Sequence, residues 1–195
     1  MRIKQAVLPL IVSALLGLGL AGMSTGASAV TIGFDDLTAD ETQPIADGYQ
    51  GLNWSNIATI NGAAYPGSGY EAGTVSPANA AYNMDGGTAA IWSATSFNFL
   101  GAYFTSAWFD QELAFDGYLN GALVYTTAVS TVISTTTPQW VSLGWNGIDT
   151  LVIYNSSGTQ WAMDDVSIPE PASMGLIGAS LAGLLIARRR KSAAL

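Results

Sequence analysis

Between positions 30 and 168 this chain carries thirteen carboxylates and not one Lys, Arg or His. All six basic residues, Arg2, Lys4, Arg188, Arg189, Arg190 and Lys191, lie outside that span, so the whole-chain charge of −8 understates how one-sided the middle is. No side-chain salt bridge can form within it. Any carboxylate buried there must accept hydrogen bonds, keep its proton, or bind a cation from solution. Nucleic acid and anionic lipid headgroups are excluded as partners, because no basic footprint exists to meet phosphates. Catalytic options narrow too. With no His and no Cys there is no Ser-His-Asp triad, thiol nucleophile, ordinary zinc site or disulfide. Without Lys or Arg there is no Schiff base and no cationic clamp for phosphoryl transfer. Glycoside hydrolysis by two carboxylates stays open, since it needs only two acids at a set separation; Glu71, Asp110, Glu112 and Asp116 are the candidates.

The two ends read as targeting segments. Met1-Arg2-Ile3-Lys4 is a positive start, an apolar stretch follows from Ala6 to Gly22, and Ala27-Ser28-Ala29 fits the small-x-small cleavage rule. A signal helix over 1–29 would be cut after Ala29, leaving Val30 as the mature terminus. At the other end, Pro169-Glu170-Pro171 precedes an uncharged run from Met174 to Ala187 and then Arg188-Arg189-Arg190-Lys191. Those 14 apolar residues span about 21 Å as a helix, short of the roughly 20 residues usual for crossing. The terminal position, the Pro-x-Pro break and the four cations still point to a single transmembrane helix with its basic end in the cytoplasm. This order of Pro-Glu-Pro, short apolar helix and Arg-rich end resembles the PEP-CTERM sorting signal of Gram-negative bacteria. The resemblance implies recognition of residues 169–195 by an inner-membrane exosortase at Pro169, Glu170 and Pro171, with Arg188, Arg189, Arg190 and Lys191 as the basic stop. It also implies export to the cell surface or extracellular matrix. An ordinary anchor that stays in the membrane is the other reading.

Residues 30–168 are long enough for one domain with a real core, and they read as all-β. Gly, Thr, Ser, Asn and aromatics are frequent, and no ten-residue stretch keeps a helical apolar period without a Gly or Pro break. Strands are expected at 30–34, 51–56, 89–94, 97–108, 113–119, 123–132, 140–145, 150–154 and 160–168. The clearest local signal is Asn120-Gly121 between two alternating runs, the preferred type I′ hairpin turn. Nine short strands at this spacing indicate a two-sheet antiparallel jelly-roll sandwich. Residues 66–87, rich in Gly, Pro, Asn and Ala, read as one long ordered loop.

Two acidic pairs bracket the domain, Asp35-Asp36 near its start and Asp164-Asp165 near its end. Each sits in an apolar stretch, where an uncompensated carboxylate is costly. If the first and last strands lie side by side, four carboxylates could converge, and hard oxygen ligands at that density suit Ca²⁺. Alternatively, one Asp of each pair faces solvent and the other caps a turn through backbone N–H groups.

Phe34-Asp35-Asp36-Leu37, the 48–54 segment, the 117–121 hairpin and Ala162-Met163-Asp164-Asp165-Val166 together resemble a recurrent PEP-CTERM passenger domain. That domain is similar to galactose-binding-like and carbohydrate-binding-module jelly rolls. The resemblance implies a structural calcium ligand at Asp164 or Asp165. Six Trp and eight Tyr, all in the body, suit stacking on sugar rings as well as filling a core. Trp54, Trp92, Trp145 and Trp161 follow strand patterns and are expected in the core. Trp108 and Asp110 at a strand end, with Tyr65 and Tyr70 in the long loop, are the expected ligand contacts. The favoured function is a non-catalytic exported protein bound to or embedded in exopolysaccharide. A structural matrix protein without a glycan ligand is the alternative, and a carboxylate-pair glycan-cleaving enzyme comes third.

Overall fold

The computed structural model describes residues 29–37, 42–128 and 130–169. Residues 1–28 of the expected leader, Glu170, Pro171 and the rest of the tail, Arg188, Arg189, Arg190 and Lys191 included, therefore lie outside the described residues. Among the described residues no helix is long and apolar enough to cross a membrane. The strands in chain order are β1 (Ala29–Ile32), β2 (Thr42–Pro44), β3 (Asn53–Ser55), β4 (Ile57–Asn61), β5 (Asn79–Asn83), β6 (Ala89–Ser106), β7 (Gln111–Leu119), β8 (Ala122–Thr126), β9 (Thr131–Ile133), β10 (Gln139–Asn155) and β11 (Trp161–Pro169). One short helix, α1 (Gly69–Gly73), lies between β4 and β5. Every pairing is antiparallel.

The two longest strands organise the rest. The first part of β6 pairs with β3 and with the last part of β10; its second part pairs with β11 and the first part of β10. Register shifts between Ser142 and Thr150 interrupt the β6–β10 ladder, and Gly144 and Gly147 take positive φ there. Such bulges bend a strand and sharpen its twist, so the sheet turns over on its own core. Phe104, on the second part of β6, meets Phe115 of β7 at 5.6 Å between ring centroids and Trp161 of β11 at 5.6 Å. Ile32, Phe34, Trp54, Ile91, Phe99, Leu113, Ile148, Leu151, Met163 and Val166 fill the same cluster. The all-β expectation agrees with this architecture.

Several strand boundaries differ from expectation, each for a physical reason. The stretches at 89–94 and 97–108 form one strand, as do those at 140–145 and 150–154, because bulges absorb breaks that read as turns. The 123–132 stretch instead divides into β8 and β9, each at the edge beside β7. Residues 66–87 are not one loop: they hold α1 and β5. In β5, Asn79, Ala80, Ala81 and Asn83 are all buried, so the strand lacks the in–out alternation that marks a half-exposed one. Its neighbour β4, and β2 on the far side of β4, were likewise not expected. Asn83 compensates for its burial by accepting the Trp161 amide at 2.7 Å and donating to the Gly87 carbonyl at 2.9 Å.

Local chemistry explains the tight points. Asn120 and Gly121 have φ of 52° and 75°, as a type I′ turn requires. Ser68 caps α1, its hydroxyl accepting the Tyr70 amide at 3.2 Å. A side chain at Gly69 would fall onto the backbone of Ser106 and Ala107, and only its absence lets α1 sit directly on β6.

Candidate functional site

The first and last strands are indeed neighbours: Ile32 pairs with Val166 and Thr31 with Ser167. This brings Asp35 and the Asp164-Asp165 pair to one end of the β1–β11 ribbon, facing the 74–79 segment. Asp164 is fully buried. Its Oδ2 accepts the Val75 and Ser76 amides at 2.7 and 2.8 Å, its Oδ1 accepts the Asp165 amide at 2.7 Å, and the Ser76 hydroxyl lies 3.3 Å from Oδ1. Burial pushes its carboxyl up to about 7, against the pull of those amides toward the charged form. Asp164 thus pins the 74–76 segment to the sheet.

The other three acids have separate roles. Asp35 Oδ1 accepts the Asn79 amide at 2.9 Å, while Asn79 donates its side-chain amide to the Leu37 carbonyl at 2.7 Å. Asp36 turns to solvent and accepts the Tyr49 hydroxyl at 2.6 Å. Asp165 takes a φ of 50° at a break in the β6–β11 register. Asp35 Oδ2 and Asp165 Oδ1 flank Gly33, at 3.3 and 3.5 Å from where a Cβ on it would stand, with Ser76 Oγ at 2.6 Å. Four carboxylates do not converge. Among the described residues no three acidic groups are close enough to form a ligand set, because Asp36 is drawn to Tyr49 and Asp164 is enclosed by amides. What remains open to a cation is the smaller pair, Asp35 and Asp165, neither of whose facing oxygens accepts a hydrogen bond from the described residues.

Three of the expected contacts, Trp108, Tyr70 and Tyr65, lie in one aromatic cluster, but not in equal roles. Trp108 lies two residues past the end of β6 and is 49 % exposed, and Phe109 beside it is 72 % exposed. Tyr70 meets the Trp108 ring edge-on at 5.6 Å, and the Tyr65 and Tyr82 rings at 5.5 and 5.7 Å. Tyr70 itself is only 3 % exposed, so it cannot face a ligand. The expectation for Tyr70 is corrected: α1 turns it inward, and burial raises its hydroxyl pKa. It is the anchor of the cluster, while Trp108 and Tyr65 are the accessible rings and Asp110 is an exposed carboxylate nearby in sequence.

A second set of polar and aromatic groups was not expected. Trp54, Trp145 and Trp161 are buried, but Trp92 is 43 % exposed, which corrects the core assignment made for it. Ala89 and Ile91 point inward, so strand alternation turns Trp92 outward. That parity was readable in the sequence, but not which face was open. Asn53, Trp92, Thr150 and Tyr118 form one cross-strand row, placing Trp92 and Tyr118 two strands, roughly 10 Å, apart. Tyr118 donates to Asp116 Oδ2 at 3.4 Å. Burial, with Tyr118 and Asp116 beside it, pushes the Tyr154 hydroxyl up to about 12. Trp140, 40 % exposed, packs edge-on against Tyr103 at 5.2 Å.

The fold and these sites describe an all-β domain joined without a linker to a sorting signal. Residues 167–191 match the PEP-CTERM protein-sorting motif, the mark of an exported protein that passes through the membrane and is processed by an exosortase-type system. No curated protein matches the chain. Among solved structures, the chain is similar to the CBM22-1 xylan-binding domain of Xyn10C from Paenibacillus barcinonensis, with 13% identity and a TM-score of 0.39 over 73% of this chain and 94% of that one. It is also similar to TmCBM61, solved in complex with beta-1,4-galactotriose, with 10% identity and a TM-score of 0.32 over 64% of this chain and 94% of that one. At such scores neither similarity bears on the site or its ligand.

Proposed function

We propose that this protein is an exported, non-catalytic surface or matrix protein whose jelly-roll domain binds a neutral exopolysaccharide. The observation that carries the reading is Trp108. It is held edge-on by the buried Tyr70 and still leaves half its surface to solvent. An aromatic ring fixed before binding loses little freedom on contact, which favours it as a stacking platform. The body's lack of any cation disfavours an anionic polymer, whereas exposed rings, amides and carboxylates suit hydroxyl-rich neutral sugars. Trp92, Tyr118 and Asp116 offer similar chemistry on their own face.

The test is retention of residues 30–168 on insoluble cellulose, xylan and galactan. Trp108→Ala with Phe109→Ala is expected to weaken retention at least tenfold, about 1.4 kcal/mol, while the domain stays folded with a melt lowered only by the lost Tyr70 contact. A wild-type domain retained by none of a broad set of neutral polysaccharides would leave the structural matrix protein as the reading.

A calcium ion as structural cement belongs to the same reading, in reduced form. Asp35 and Asp165 would hold it, completed by backbone carbonyls and water as is usual for this ion. Excess Ca²⁺ over chelator should then raise the melting temperature, since a ligand bound only by the folded state stabilises it. Asp165→Ala should remove the difference, and a melt identical in chelator and calcium would refute the assignment.

A further inference from the structure

No charged residue stands between Asp116 and Asp149, and that uncharged stretch supplies β8 and β9 at one rim of the sheet. β8 closes the strand order there and pairs with β7 alone, while β9 lies beside the other half of β7. Leu123 and Val124 of β8 are 53 % and 44 % exposed, and Val132 of β9 is exposed as well. The rim is nevertheless fixed in place. Tyr125 stacks on Trp145 at 5.3 Å between ring centroids, and its hydroxyl donates to the Asn146 carbonyl at 3.2 Å. Just past β8, the Thr127 amide donates to the Phe115 carbonyl at 2.9 Å.

An outermost strand carries a row of N–H and C=O groups along its open side, and proteins usually blunt such rows with charge, proline or brevity. Among the described residues, the other strands with a single neighbour follow that rule. β2, β3 and β9 have three residues each, and β2 ends on Pro44. β1 has four residues and runs into Asp35-Asp36. β8 has five, Ala-Leu-Val-Tyr-Thr, with neither charge nor proline and with side chains that suit a sheet.

Charge limits what can cover it. Bodies with thirteen carboxylates and no cation repel one another on most approaches. The 117–148 stretch contributes no carboxylate of its own, so two copies meet there with the least repulsion. The open side of an antiparallel strand is also complementary to itself, because a two-fold rotation sets its donors against its own acceptors. A second copy matches that row by symmetry alone. We propose that β8 is a self-association edge: it pairs antiparallel with β8 of a second copy about a two-fold axis, joining the two sheets into one. Such a pair presents two Trp108 clusters, able to hold a repeating polymer at two points, but the pairing does not rest on glycan binding.

The experiment uses the full chain, which has no cysteine of its own, purified in detergent and treated with a mild thiol oxidant. Ala122→Cys, Leu123→Cys, Val124→Cys and Thr126→Cys are compared with Phe109→Cys, at the most exposed of the large apolar residues. Two-fold pairing sets one β8 position against itself, within disulfide reach. One β8 cysteine, or two adjacent ones, is expected to form the disulfide-linked dimer at least about tenfold faster than Phe109→Cys, because the thiols are held together before they react. Adding Leu123→Glu beside it, or Val124→Glu where position 123 carries the cysteine, is expected to remove that advantage. Cross-linking that simply follows exposure, with Phe109→Cys fastest, would overturn the proposal. So would monomers throughout, the result expected if polysaccharide or a different chain covers β8. The cysteine comparison introduces no charge, so it decides the matter even if a Glu variant fails to fold.

Discussion

Asp164 offers the sharpest test of how this cation-free body holds a buried charge. In the folded state its carboxyl is pushed up to about 7 by burial, against an ordinary value of 3.8. The native state therefore binds this proton more tightly than the unfolded chain. Between those two values the native state carries more protons, so stability falls as pH rises. The stabilisation is complete below about pH 4 and lost by the time pH passes 7. At a slope of at most about 1.4 kcal/mol per pH unit, Asp164 should cost the protein on the order of 2 kcal/mol between pH 5 and 7. That is roughly 5 °C or more in Tm for a domain of this size. Asp164→Asn removes the titration but keeps an oxygen for the Val75 and Ser76 amides. It leaves the Asp165 amide facing an NH₂ group, a loss of about 1–3 kcal/mol. The assay is thermal melting in chelator from pH 4.5 to 8.5 for both proteins. The wild type is expected to lose its advantage over Asp164→Asn as pH rises. Parallel profiles, or a wild type that gains on the variant toward pH 8, would refute the account, because acids away from Asp164 contribute equally to both.

The remaining predictions concern packing. Gly69→Ala should destabilise by about 3 kcal/mol or more, since its methyl would meet the Ser106 backbone and not a movable side chain; a denaturation midpoint near wild type would contradict the seating of α1. Trp161 is fully buried, and its Nε1 has no partner among the described residues. Replacement by Phe, which removes that orphaned donor, should cost under about 2 kcal/mol, against about 3–5 kcal/mol for Trp161→Ala. Equal losses in the two variants would show the indole N–H to be satisfied. Gly121→Ala, at a φ of 75°, should cost about 1 kcal/mol, read from the urea midpoint.

How much was legible in advance varied with how local the signal was. The Asn120-Gly121 turn follows from the φ preferences of two residues, and the inward faces of Leu113 and Phe115 follow from strand alternation. The sorting tail is a linear pattern and needs no fold to be recognised. By contrast, β5 is built from Asn-Ala-Ala-Tyr-Asn, a sequence with no strand signal of its own. It becomes a strand because β4 and β11 offer it hydrogen bonds on both sides and α1 covers it. The aromatic cluster was half readable: Trp108 and Tyr65 stand at the surface, while the seating of α1 on β6 turned Tyr70 inward.

From sequence alone came the sorting motif, the β character and the exclusion of partners and chemistries that need a cation, because each depends on residue type or on neighbours a few positions apart. Tertiary structure alone decided how the carboxylates are compensated. The pairing of β1 with β11 brings Asp35 and Asp165 to Gly33, while backbone amides of the 75–76 segment, some 90 residues away along the chain, enclose Asp164. Distance along the chain carries no information about such contacts; only the closed sheet brings donor and acceptor within reach.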